Sequence, residues 1–78
     1  PNPFNPSSTI KFGIPEAAMV RLEIYNLLGQ KVKSLVNEKK VAGFHIVTFD
    51  AKDFSSGMYI YRIQVGNYVQ TKKMILIK

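Results

Sequence analysis

The sequence of 78 residues has no cysteine, one histidine and no apolar run long enough to cross a membrane. The missing cysteines exclude a disulfide framework and a thiolate metal site, although they do not identify a compartment. A membrane-spanning helix needs about 20 consecutive apolar residues, and no signal peptide is recognisable. Because the first residue is Pro1 rather than methionine, we expect the chain to be part of a longer protein.

Acidic residues are scarce as well. Five Asp and Glu stand against eleven Lys and Arg, which gives a formal net charge of +6. Such a charge favours solubility and attraction to anionic partners in general, and lysines on solvent-facing strand surfaces account for it equally well. With 46% hydrophobic and 21% charged residues, the composition is that of a folded domain, and a chain this short has one core.

Patterns of catalytic residues are also missing. His45 is the only histidine, and Asp50 points to the opposite face if the strand between them is regular. There is no Gly-x-Ser-x-Gly motif and no cysteine nucleophile. We therefore expect no enzymatic activity and no cofactor, and we place His45 at the rim of a strand.

Two binding alternatives stay open at this point. Asp50, Asp53 and Ser55 offer oxygen ligands to Ca²⁺, but their spacing is not that of an EF-hand, and Asx turns use the same residues. Tyrosines in a basic sheet can stack on nucleic-acid bases, yet these tyrosines lie on the face that the core needs. We expect neither a metal nor a nucleic acid to bind. The residues of the second alternative are Tyr59, Tyr61, Tyr68, Arg62, Lys72 and Lys73.

The stretch Gly57–Val65 predicts a central β-strand, because nine residues rich in aromatic and β-branched types lie between turn signals. Side chains alternate along a strand, so one face is fully apolar and the other is only half apolar. A strand of this kind belongs near the middle of a sheet. The first face carries Tyr59, Tyr61, Ile63 and Val65, and the second carries Met58, Ile60, Arg62 and Gln64.

Alternation predicts further strands at residues 9–14, 19–25, 31–36, 44–49 and 68–77. The inward set is Ile10, Phe12, Ile14, Val20, Leu22, Ile24, Val47, Phe49, Met74 and Leu76, with Phe54 folded beneath the central strand. The outward set of the second strand is Arg21, Glu23 and Tyr25.

Turn chemistry links these strands. Residues 26–29 fit a type I turn closed by Gly29, and Gly66-Asn67 fits a two-residue primed hairpin turn. The second turn predicts that Val65 pairs with Tyr68 and, by that register, Tyr59 with Met74. We also expect a bulge between Val32 and Leu35, and a polar loop at residues 37–43.

These elements predict an all-β fold, a small immunoglobulin-like β-sandwich of six to seven mostly antiparallel strands. Residues 1–7 form a proline-rich entry segment in which Phe4 plugs one end of the core, and residues 8–78 form the sandwich.

Five blocks, taken in order, resemble the type A C-terminal sorting domains of the type IX secretion system. The first block begins Pro1-Asn2-Pro3-Phe4-Asn5-Pro6. The pattern of the five blocks together also overlaps that of immunoglobulin-like modules related to the flagellar hook-capping protein. Phe49 stands where relatives often carry tryptophan, a conservative difference. The blocks are residues 1–10, 20–32, 42–45, 56–62 and 72–78.

This resemblance implies a non-catalytic signal at the C-terminus of a protein exported by Bacteroidetes-like bacteria. The implied partners are an outer-membrane translocon, a sortase-like surface peptidase and an N-terminal cargo domain in the parent protein. The cargo would travel through the periplasm and the outer membrane to the cell surface or the medium. The alternative is a structural or carbohydrate-associated immunoglobulin-like accessory module of a secreted enzyme.

The half-apolar face of the central strand is the candidate docking surface. Apolar side chains clustered on an exposed sheet face are a usual mark of such a site. The same residues would instead be covered if they belonged to a second core layer or packed on a preceding domain. The docking residues are Met58, Ile60, Ile75 and Ile77, edged by Lys73 and Lys78.

Overall fold

A computed structural model describes residues 7–77, and over that range the chain forms six antiparallel strands and no helix. β1 and β4 form a two-stranded sheet, and the second sheet has the order β3-β2-β5-β6. The all-β sandwich is thereby confirmed, whereas the prediction for Phe4 falls outside the described residues. The strands are β1 (Ser7–Ile14), β2 (Ala18–Tyr25), β3 (Lys31–Lys40), β4 (Gly43–Asp50), β5 (Gly57–Val65) and β6 (Tyr68–Leu76).

One core fills the space between the two sheets. Val20, Leu22 and Ile24 of β2 are fully buried, as the strict alternation of that strand predicts. Phe49 of β4 meets them from the other sheet and is fully buried too. The remaining buried apolar residues are Ile10, Ile14, Val36, Ala51, Tyr59, Ile63, Met74 and Leu76.

β5 has a hydrogen-bonded neighbour on each side, β2 and β6, which confirms it as an interior strand. Its inward residue Tyr59 donates a hydrogen bond from its hydroxyl to the Ser55 carbonyl at 2.8 Å. Phe54 lies beneath the strand, as predicted: its ring centroid is 5.0 Å from that of Phe49 and 5.6 Å from that of Tyr59. Aromatic contacts therefore join the two sheets at this end.

The β5–β6 hairpin has the predicted register, with Val65 opposite Tyr68 and Tyr59 opposite Met74. Gly66 has a φ of 58°, and no described residue other than glycine has a positive φ. A positive φ at the first turn position followed by a negative one at Asn67 matches a type II′ turn. This hairpin decides which residues of β6 face outward.

Asn26 organises the loop between β2 and β3. Its carbonyl accepts a hydrogen bond from the Gly29 amide at 3.0 Å, and its Oδ1 accepts from the Leu28 and Gln30 amides at 2.9 and 3.0 Å. Gly29 has a φ of 81°. The predicted type I turn closed by a left-handed glycine is therefore present.

The structure corrects one prediction on β3. The prediction of a polar loop at residues 37–43 is wrong for residues 37–40. These residues continue the strand and pair with residues 18–21 of β2. β3 is an edge strand, so the side chains of residues 37–39 remain polar and exposed while the backbone bonds to β2. The expected irregularity between Val32 and Leu35 is confirmed as register shifts that leave both residues without a Cα partner in β2.

Candidate docking surface

The outer face of the four-stranded sheet is the side turned away from the core. Its members alternate with the buried residues of each strand, and the register sets them side by side. Met58 lies opposite Ile75, and Ile60 lies between Tyr25 and Lys73. One half of this face is therefore apolar, and its chemistry follows from the strand register.

The apolar half, formed by Met58, Ile60, Ile75 and Ile77, is called here the apolar stripe. Met58, Ile75 and Ile77 are 38%, 63% and 79% exposed, while Ile60 is half-buried between neighbouring side chains. No described strand covers the stripe, so it is not a second core layer of this domain. The structure brings Lys73 to its edge, opposite Ile60, whereas Lys78 lies outside the described residues.

The other half of the outer face is organised around Glu23. Its side chain is 4% exposed although the residue points away from the core. The Tyr25 hydroxyl donates a hydrogen bond to it at 2.8 Å. Arg21 Nη2, Lys31 Nζ and Arg62 Nη1 lie 3.3, 3.4 and 3.9 Å from its oxygens. We call these five residues the Glu23 cluster.

The hydrogen bond from Tyr25 is the largest influence that lowers the pKa of Glu23 below its ordinary value of 4.5. Burial acts in the opposite direction, and the nearby Lys31 and Arg21 add to the lowering. The same hydrogen bond raises the pKa of Tyr25 above 10.0, and burial of the phenol adds to this. At neutral pH an ionised carboxylate therefore stands among three cations, and the cluster keeps a net positive charge.

The sequence predicts the outward direction of Arg21, Glu23 and Tyr25 but not the burial of Glu23. The spacing of charges two apart on one strand points to the contact between Arg21 and Glu23, since such residues share a face. Arg62 gives no such signal, because it reaches Glu23 only through the pairing of β2 with β5. The cluster is thus a functional candidate that the sequence pattern alone does not reveal.

The structure separates the residues that nucleic-acid binding would need. Tyr59 and Tyr61 point into the sandwich, one buried and one half-buried, whereas Arg62 and Lys73 belong to the outer face. Tyr68 and Lys72 are the only tyrosine and cation of the six residues that share an exposed side of the sheet. This arrangement gives the nucleic-acid alternative no support.

The calcium alternative fares no better. Asp50 Oδ1 accepts a hydrogen bond from the Lys52 amide at 3.0 Å, which is the contact of an Asx turn. Within residues 7–77, no three side chains of the His, Cys, Asp or Glu types come together as metal ligands.

His45 is half-buried at the rim of the sandwich, as predicted. Its Nε2 lies 2.8 Å from the Val41 carbonyl oxygen, and its ring stacks on that of Phe12 with centroids 5.4 Å apart. Both contacts are explained by packing. The described part of the chain also contains no helix that is long and apolar enough to cross a bilayer.

The comparison with protein families settles what kind of domain this is. The family described as the secretion-system C-terminal sorting domain matches residues 1–78, the whole chain. The chain belongs to this family. The sorting domain is a signal for type IX secretion, and it directs export through the outer membrane to the cell surface or the medium.

Domains of this family are generally non-catalytic. Neither the curated proteins nor the solved structures contain a significant match to this sorting domain. The match to the family confirms the expectation drawn from the resemblance, both for the family and for the secretion route. The carbohydrate-associated alternative gains no support from it.

Proposed function

We propose that the sorting domain is a non-catalytic docking module whose apolar stripe is the surface that the secretion machinery recognises. The partners in this proposal are the outer-membrane translocon and, after passage, a sortase-like surface peptidase. Lys73 lies at the edge of the stripe, Lys78 follows Ile77 in the sequence, and a cargo domain precedes the sorting domain in the parent protein. Recognition of this kind needs no reactive group, only a surface that different cargoes can carry unchanged.

The alternation of the last strand carries the proposal. Met74 and Leu76 point inward and are 8% and 5% exposed, whereas the outward Ile75 is 63% exposed and Ile77, one residue past the end of β6, is 79% exposed. The core already uses the inward pair, so the outward isoleucines contribute little to the stability of this domain. Burying one such side chain at an interface gains about 1.5–3 kcal/mol. A partner can therefore use surface that the fold leaves free.

Residues 1–78 fused to a periplasmic reporter test the proposal in a bacterium that has the pathway. The reporter should reach the surface or the medium, and Ile75→Asp with Ile77→Asp should hold it in the periplasm. Phe44→Asp with Ile46→Asp is the matched control, since both residues are exposed on the outer side of the other sheet. Circular dichroism confirms that each variant folds.

Two results would contradict the proposal. Normal delivery by the folded stripe variant would show that the machinery does not use the apolar stripe. Equal loss in the stripe variant and in the control would show that any exposed acidic pair blocks export.

A further inference from the structure

We infer that the protein surface which docks on the outer face is acidic, and that the Glu23 cluster is its anchoring point. This inference rests on the proposed function, because the cluster and the apolar stripe share one face of one sheet. It adds the chemistry of the partner and a second group of recognition residues. These residues lie on different strands from Ile75 and Ile77.

The charged side chains of this face are mostly positive. The register places Arg21 and Lys31 beside Glu23, and Lys39 opposite the outward Met19. Arg62 and Lys73 come from β5 and β6. Among the described residues, Glu23 is the carboxylate of this face, and it is buried. An approaching partner therefore meets cations and no exposed acid.

The cations of the cluster keep donors for a ligand. The side chains of Arg21, Lys31 and Arg62 are 47%, 51% and 34% exposed. An arginine has five N–H donors and a lysine has three, more than one carboxylate can accept. Arg62 lies 3.9 Å from Glu23, beyond hydrogen-bond distance, so its contact there is only Coulombic. Arg62 Nη1 also donates a hydrogen bond to Gln64 Oε1 at 3.4 Å, and the partial exposure of all three side chains leaves other donors accessible to a ligand.

Glu23 positions these groups before a partner arrives. Side-chain ordering at an interface costs about 0.5–1.5 kcal/mol for each flexible residue. A buried carboxylate that already pairs with Arg21 and Lys31, and that lies 3.9 Å from Arg62, reduces that cost. It also permits three cations to lie close together, which their mutual repulsion would otherwise oppose. Glu23 is thus a positioning residue, and the cations make the contact.

The apolar stripe favours an acidic protein over an anionic polysaccharide. Ile60 lies directly between Tyr25 of β2 and Lys73 of β6, so the apolar and basic halves are continuous. Protein interfaces combine an apolar centre with a polar, hydrated rim. A charged glycan offers nothing to cover Met58, Ile75 and Ile77. The partner that fits has an apolar ridge bordered by aspartate or glutamate.

Three variants with the same change of formal charge test the inference in the reporter fusion. Arg21→Gln with Arg62→Gln removes two cations of the cluster, and Lys39→Glu alters the same face without touching Glu23. Lys11→Gln with Lys72→Gln is the control, because these exposed lysines lie off the outer face. We expect about a tenfold loss of delivery for the first two variants, and wild-type delivery for the control.

A binding measurement separates the classes of partner. The labelled domain is titrated by NMR with a hexapeptide of alternating glutamate and leucine, with dextran sulfate and with phosphatidylglycerol vesicles. The peptide should shift outer-face amides of β2 and β5, and its affinity should fall at least tenfold between roughly 0.05 and 0.5 M salt. Tighter binding of the vesicles or of dextran sulfate, lost in the cluster variant, would overturn the inference in favour of a lipid or a glycan.

The remaining outcomes are distinct from a failure of the proposed function. If the stripe variant is not delivered while folded Lys39→Glu and the cluster variant are, the inference is wrong and the docking proposal stands. If the stripe variant is delivered normally, the proposed function itself fails. Equal losses in the control and the cluster variant would mean that bulk charge, not this face, matters. If the cluster variant fails to fold, the delivery of Lys39→Glu still tests whether the partner surface is acidic.

Discussion

The two sheets of this domain present different outer faces to solvent. The four-stranded sheet carries the apolar stripe beside the Glu23 cluster. On the two-stranded sheet, Gly13 lies opposite Phe44 and Lys11 opposite Ile46, and Phe44 and Ile46 are 93% and 66% exposed. Both faces therefore expose large apolar side chains. Only the first combines them with charged groups held in a fixed arrangement.

The difference shows that apolar exposure alone does not mark a docking surface. Phe44 has a local role, since its ring lies over Gly13, 2.8 Å from where a Cβ would stand. An aromatic ring that covers a glycine on the neighbouring strand shields the backbone there. The stripe residues Ile75 and Ile77 have no comparable role, so a partner is the better explanation for them.

The largest expected effect on stability is the difference between a substitution on the inner side of the four-stranded sheet and one on its outer side. Leu22→Ala should cost about 2–5 kcal/mol, because a fully buried leucine leaves a cavity. Ile75→Ala should change the free energy of unfolding by less than about 0.5 kcal/mol, as exposed substitutions do. Urea unfolding measures both. Equal costs would mean that Ile75 contributes to the core.

Next in size is the loss of the buried carboxylate. Glu23→Gln should cost about 1–3 kcal/mol at neutral pH, the usual cost of losing hydrogen bonds with charged groups. The folded state lowers the pKa of Glu23, so its stabilisation is present above pH 4.5 and is lost as the pH falls through the folded-state value. The difference in the free energy of unfolding between wild type and variant should therefore decrease as the pH is lowered from 7 to 3. A constant gap would contradict the ion-pair account.

The hairpin that sets the outward residues of β6 gives a smaller effect. Gly66→Val should cost about 1–2 kcal/mol, because a β-branched residue resists the φ of 58°. A Cβ at this position would meet nothing within 4 Å, so crowding does not contribute. Thermal unfolding tests this, with Asn67→Ser, at the negative-φ position, as the control. An unchanged melting temperature would mean that another turn type forms.

The smallest effect concerns the other sheet. Gly13→Ala should cost less than about 1 kcal/mol, although its Cβ would stand 2.8 Å from the ring of Phe44. That ring is 93% exposed and can swing away into solvent. The paired variant Gly13→Ala with Phe44→Ala should then be close in stability to Phe44→Ala alone. A large cost of Gly13→Ala would show that Phe44 is held more firmly than its exposure suggests.

Local sequence patterns were sufficient to predict the buried face and the register wherever two neighbouring strands are joined by a short turn. The alternation of Val20, Leu22 and Ile24 predicted the buried face of β2, and Gly66-Asn67 predicted the register of β6. The stripe follows from those two signals, since a period of two and a known turn fix which residues lie together. The extension of β3 over residues 37–40 was missed. An edge strand bonds through its backbone and permits polar side chains on both faces.

The sequence by itself determined the all-β class, the central strand and the family, because alternation, turn residues and ordered blocks are local properties. Only the tertiary structure decided that Glu23 is buried and that Arg62 approaches it. β2 and β5 are adjacent in the sheet but distant along the chain. No local pattern records which strands become neighbours, since that choice depends on the packing of the whole core. The charge arrangement of the outer face is therefore a property of the fold and not of any one segment.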